Sequence, residues 1–189
     1  MKRFVFLFLF MAVATIMMAQ EHLEFKGISI NGSTSDFVSK LKGKGFTQVY
    51  NSGFNYALEG KFTEQSVTVY VLGSVKTGTV WKVAVQFEKE TSWYSIKSQY
   101  NKYVEIFKQK YGVPLDHFEF FSKPYYEGDG YEMQALRNEK CTYSTYFDTP
   151  KGTISILISK SECLEIRYED SINAQISKDE KDGSILNDI

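Results

Sequence analysis

"VWKVAVQFEKETSWYSIKSQYNKYVEIFKQKYGVP", residues 80–114, changes its hydrophobic period part-way along. In its first part Trp81, Val83, Val85 and Phe87 alternate with Lys82, Ala84 and Gln86, the period of two that a strand with one buried face requires. Beyond it Trp93, Ile96, Tyr100, Tyr103, Phe107 and Tyr111 recur at steps of three or four, which is the stripe of an amphipathic helix. Thr91 or Ser92 supplies the N-cap, and Glu88 and Glu90 stand at the positive end of the helix dipole. Lys108 and Lys110 stand at its negative end, and Gly112 and Pro114 stop it. An aromatic stripe at this spacing is assigned to the core rather than to a ligand.

Working outward gives the rest of the architecture. Upstream, "FKGISINGSTSDFVSKLKGKGF" at 25–46 reads as a strand, an Asn31-Gly32 turn, and a helix capped by Ser33 with Asp36 three residues on. Phe37, Val38 and Leu41 form its apolar face, and Gly43 or Gly45 ends it. Strands follow near 54–60, 65–72 and 79–87. Downstream of the long helix they resume near 118–122, 131–137, 141–147, 153–159 and 164–168, with Asp148–Gly152 as a hairpin loop and a brief helix at 171–176. The expected fold is α+β: an antiparallel meander sheet with helices packed on one face. The order of helix and three strands, then a longer helix and three or more strands, suits a diverged helix-plus-meander duplication.

At the amino terminus, Lys2 and Arg3 precede an apolar run from Phe4 to Met18, and Ala19-Gln20 marks a cut before charge returns at Glu21. The run is shorter than the roughly 20 residues of a membrane span, so 1–19 reads as a secretory signal peptide and the protein as exported, periplasmic or extracellular. No cysteine lies near the cut to take a lipid. Residues 20–177 form a single domain, and 178–189, "KDEKDGSILNDI", a mobile charged tail. Removing the signal removes two of 22 basic residues and none of 23 acidic ones, leaving a net charge of −3. Such a surface offers no basic field to nucleic acid, and no membrane span is expected in the mature chain.

Familiar catalytic chemistry is missing from the sequence: no G-x-S-x-G, no Cys-plus-His context and no phosphate loop. No cofactor is expected. Of the two histidines, His22 is read as lying at a frayed end. His117 has Asp116 and Glu119 beside it but no second histidine at metal-ligand spacing, so no metal site is assigned. Cys141 and Cys163 are a candidate disulfide, because an isolated pair in an oxidising compartment is usually bonded. The strand at 153–159 falls between them, so a bond requires Cys163 to sit in a turn over the sheet edge; two buried free thiols are the alternative.

The stretch "SKPYYEGDGYE" at 122–132 places Tyr125, Tyr126 and Tyr131 around Glu127, Asp129 and two glycines. Tyrosines with small neighbours build recognition surfaces because a large amphipathic ring loses little entropy on contact. Tyr125, Tyr126, Asp129 and Tyr131 are therefore the candidate binding residues, against the alternative of tyrosines lying over a sheet edge.

The mature chain resembles uncharacterised small secreted proteins of Bacteroidetes-type bacteria, on "MAQEHLEFKGISINGS", "FKQKYGVP", "CTYSTYFDTPKGTISILIS" and "IRYEDSINAQI". The "GISINGSTSDFVSKL" segment is also similar to the start of the helix in beta-lactamase inhibitor proteins and in the small outer-membrane assembly lipoprotein fold. These resemblances imply export and fold and carry over no binding residue. The function expected is a non-catalytic binding or interaction module of the bacterial envelope whose partner is an envelope protein or a glycan. The alternatives are a carbohydrate-active hydrolase using carboxylates such as Glu119, Glu127, Asp129 or Glu132, whose chemistry needs a facing pair, and a structural envelope component without a ligand.

Overall fold

The computed structural model describes residues 21–187; the signal peptide expected at 1–19 lies outside the described residues. Short strands β1 (Glu24–Phe25) and β2 (Ile28–Ser29) form a small hairpin ahead of helix α1 (Thr34–Lys42). Strands β3 (Thr47–Ser52), β4 (Asn55–Phe62), β5 (Gln65–Gly73) and β6 (Val80–Phe87) follow, then helix α2 (Trp93–Tyr111). After it come β7 (Asp116–Phe121), α3 (Glu132–Arg137), β8 (Cys141–Thr149), β9 (Gly152–Ile158), β10 (Leu164–Asp170) and α4 (Ser171–Asn187).

Eight of these strands form one antiparallel sheet in the order β3-β4-β5-β6-β10-β9-β8-β7. Each half is a helix followed by a four-strand meander, and the halves join along their last strands, where Val83 lies across from Tyr168 and Val85 from Ile166. The fold is α+β with helices packed on one face, as the periods require.

Alternation decides which face is covered. Val69 and Val71 of β5, Val83 and Val85 of β6, Ile154 and Ile156 of β9 and Ile166 of β10 are wholly buried. They meet Phe37 and Leu41 of α1 and Ile96, Tyr100, Tyr103 and Phe107 of α2. Each fully buried aliphatic chain here stabilises the fold by about 1.5–3 kcal/mol. The opposite face is polar along the seam, with Lys82 bound to Glu169 at 3.1 Å and Arg167 to Glu165 at 2.6 Å.

The caps behave as their residues dictate. Ser33 accepts the Asp36 amide at 3.2 Å, Ser92 accepts the Ser95 amide at 3.1 Å, and Gly112 ends α2 at φ 83. Asp170 caps α4 through the Asn173 amide at 3.0 Å and also accepts the Leu23 amide at 2.8 Å and faces His22 Nδ1 at 3.1 Å. His22, expected at a frayed end, is thereby tied to the start of α4.

Four further expectations are corrected. Strand β3 was not expected; its residues are almost all exposed, so no buried face marked it. The strand expected at 131–137 is the helix α3, whose "EMQALR" is made of strong helix formers. The helix expected to stop at 176 continues to Asn187, so the segment read as a mobile tail is helical over its described part. It is held there by Glu180, whose carboxylate accepts the Lys76 amide and the Thr77 hydroxyl, each at 2.7 Å. Finally, Cys141 and Cys163 are free and buried rather than bridged, because Cys141 opens β8, Cys163 precedes β10, and β9 runs between those strands. Among the described residues no helix is long and apolar enough to cross a membrane.

Candidate binding loop

The loop between β7 and α3 is built from its own carboxylates. Asp129 accepts the Tyr126 amide at 3.0 Å with one oxygen and the Tyr131 amide at 2.7 Å with the other. Glu132, in the first turn of α3, reaches back to the Gly128 amide at 2.8 Å. Gly128 and Gly130, at φ 88 and 78, take the left-handed turns this wrapping requires and that side-chain-bearing residues resist. The loop is a folded unit held by its own side chains.

Glu127 fastens that unit to the scaffold. Its carboxylate binds the Lys97 ammonium, accepts Trp93 Nε1 at 3.4 Å and accepts the Tyr143 hydroxyl at 3.2 Å. The Lys97 contact outweighs burial and holds the Glu127 carboxyl below the ordinary carboxylate range. Burial first, and then the Glu127 charge, push the Tyr143 phenol upward, so it stays a neutral donor. Beneath lies an aromatic floor: Trp93 meets Tyr143 edge-on at 4.9 Å and Phe121 at 5.3 Å. A shallow cleft of about 430 Å³ runs beside it, lined by Trp93, Tyr94, Lys97, Ser98, Asn101 and Glu127.

The candidate residues separate into three roles. Tyr126 and Tyr131 are 65% and 60% exposed and project from the loop. Tyr125 is packed against the core, and its hydroxyl accepts Asn138 Nδ2 at 3.0 Å and Gln134 Nε2 at 3.4 Å, so it anchors the loop to α3. Asp129 shapes the turn, with both carboxylate oxygens engaged by loop amides. Trp93, Tyr94, Lys97 and Glu127 belong to the same surface and were not singled out for binding. Tyr94, 83% exposed, stands off the apolar stripe of α2, and a large aromatic on the polar face of a helix was the signal that could have found it.

Around His117, alternation divides what the sequence groups together. His117 and Glu119 share the helix-covered face, with Nε2 and Oε1 3.3 Å apart, while Asp116 lies on the other face of β7. His117 Nδ1 lies 2.8 Å from the Thr145 hydroxyl, which in turn lies 2.6 Å from the Tyr100 hydroxyl. A carboxylate only accepts, so in the neutral imidazole Nε2 carries the proton toward Glu119, Nδ1 accepts from Thr145, and Thr145 accepts from Tyr100. Thr145 and Tyr100 are wholly buried, so this chain braces α2 on β8 and gives a substrate no hydroxyl to reach.

The carboxylates of the hydrolase alternative each have such an employment: Glu119 with His117, Glu127 with Lys97, Asp129 and Glu132 with loop amides. A glycosidase acid needs a raised pKa, and Glu127 is shifted the other way. Among the described residues no group of three or more His, Cys, Asp or Glu is placed to hold a metal ion. Burial, followed by the charges of Glu127 and Glu132, raises the Cys141 thiol to about 12, and burial raises Cys163 as well. Both are therefore protonated, poorly nucleophilic thiols at neutral pH. No protein-family model matches the chain, and no curated protein or solved structure matches it either.

Proposed function

We propose that the chain is an exported, non-catalytic binding module of the bacterial envelope that contacts an envelope protein or a glycan through the 122–132 loop. One observation carries this reading. Two tyrosine rings, Tyr126 and Tyr131, are left unburied on a loop whose backbone is fixed by Asp129, Glu132 and Glu127. Holding a contact surface in its bound shape removes the ordering cost from association, and rigid aromatic rings are efficient anchors. The exposed ring of Tyr94 and the cleft lined by Trp93 and Lys97 extend the same surface. The resemblance to small secreted proteins of Bacteroidetes-type bacteria supports the compartment.

The test uses the chain without residues 1–19, presented to a glycan array and, with a photo-crosslinker, to an envelope fraction. Tyr126→Ala combined with Tyr131→Ala is expected to weaken binding about tenfold or more, as loss of central aromatic anchors does, with an unchanged melting temperature. Tyr125 is left intact, because it anchors the loop. Binding that survives the double substitution would refute the assignment, as would a large fall in melting temperature.

A further inference from the structure

The two edges of the eight-stranded sheet differ. β3 shifts register between Gln48 and Tyr50, and a bulge of that kind twists a strand and spoils it as a template for another chain. β7 pairs with β8 in unbroken register from Asp116 to Phe121 and contains no proline, lysine or bulge. Its outer side has no partner strand among the described residues. Val113 and Leu115 on its approach and Phe118 and Phe120 within it are all exposed. A regular, unpaired edge that carries Phe118 and Phe120 on one face and His117 and Glu119 on the other is a site for strand addition by a chain that matches both faces.

We propose that β7 pairs with β7 of a second copy of this chain, antiparallel about a two-fold axis through Phe118, so that two sheets become one. An axis normal to the sheet keeps like faces together, so each residue must meet one of the same parity. Centring the pair on His117 or Glu119 sets identical titratable side chains face to face. Centring it on Phe118 sets His117 opposite the second copy's Glu119 on one face, twice by symmetry, and on the other face Phe118 meets its own counterpart as a cross-strand aromatic pair. His117 and Glu119 already lie 3.3 Å apart within one chain and are both partly open to solvent, so the four side chains form an alternating ring across the axis. The Nε2–H of each His117 then faces a Glu119 carboxylate on both strands. This donor–acceptor complementarity, an ion pair only where the imidazole is protonated, selects the second copy as occupant and Phe118 as the centre.

Sedimentation of the chain without residues 1–19 across a concentration series is expected to show the mass doubling. Glu119→Lys is expected to return it to monomer, and His117→Glu combined with Glu119→Lys to restore the dimer. Circular dichroism checks that each variant is folded. Register is read by cysteine trapping under mild oxidation. Phe118→Cys places two thiols across the axis within the roughly 4.4–6.8 Å that a disulfide tolerates between Cα atoms. Phe120→Cys leaves its two copies four residues apart along the strand, about 13 Å, and should not link. A monomer at every concentration would overturn the proposal, as would a dimer indifferent to Glu119→Lys or equal trapping at both positions.

Discussion

Thr145→Val removes one oxygen from the middle of the protein while keeping the side chain's size. Thr145 is wholly buried on β8, 2.6 Å from the hydroxyl of Tyr100, also wholly buried, and 2.8 Å from His117 Nδ1. Burial pushes the Tyr100 phenol up to about 12 despite the Thr145 bond, so it remains a neutral donor that must find an acceptor. Valine supplies none. The His117 side of the break is partly open and water can replace it; the Tyr100 side is closed. An orphaned buried donor costs about 1–3 kcal/mol, so the loss is expected near 2 kcal/mol. At about 2–4 °C per kcal/mol for a chain of this size, the melting temperature should fall by about 4–8 °C. Urea denaturation gives the free energy from the midpoint at constant slope. Tyr100→Phe removes the other partner, and the double variant should be no less stable than Thr145→Val alone, because it orphans nothing. A Thr145→Val change within about 0.5 kcal/mol of zero, or full additivity in the double variant, would refute the role given to this chain of hydroxyls.

Other outcomes are equally definite. Burial alone would raise the Glu180 carboxyl, but the Thr77 hydroxyl, the Lys76 amide, the Ser74 hydroxyl and the Thr77 amide together bring it down to about 2 from 4.5. A carboxylate depressed on folding stabilises above its unfolded pKa and loses that contribution as pH falls toward the folded one; limited proteolysis should therefore show the end of α4 released between about pH 4.5 and 2, and Glu180→Ala should release it at neutral pH. Gly152→Ala should fail to accumulate as folded protein, because a Cβ there would lie 2.1 Å from the Glu169 carbonyl oxygen at φ 148; a cost of ~3 kcal/mol or more is expected for so strained a site, measured by soluble yield and circular dichroism. Thiol titration should find two reactive groups per chain in denaturant and little reaction in the native state, with no mobility change on reduction; a single non-reducing band that shifts with reductant would establish the bridge instead.

What could be read from residue order was whatever one buried face imposes. The switch from period two to steps of three and four around Phe87 and Trp93 marks β6 and α2 because both bury a continuous stripe. β3 escaped because, at a sheet edge, it buries almost nothing, and α3 escaped because six residues are too few to show a period. The loop at 122–132 was legible in composition but not in role. Tyr125 and Tyr126 are neighbours of identical chemistry, yet one packs against the core and hydrogen-bonds Asn138 while the other faces solvent. That difference depends on α3, which lies downstream and is a helix where the sequence predicts a strand. Glu127 likewise gains its partners from α2 and β8, 30 residues before it and 16 after, where no local pattern reaches.

The account rests on a loop that is rigid before any partner arrives, and hydrogen–deuterium exchange of the free chain measures this directly. The amides of Tyr126, Gly128 and Tyr131 bond to carboxylates at 3.0, 2.8 and 2.7 Å. They should exchange about tenfold or more slowly than in an unstructured chain, although their loop is on the surface. Exchange of all three at the unstructured rate would contradict the account.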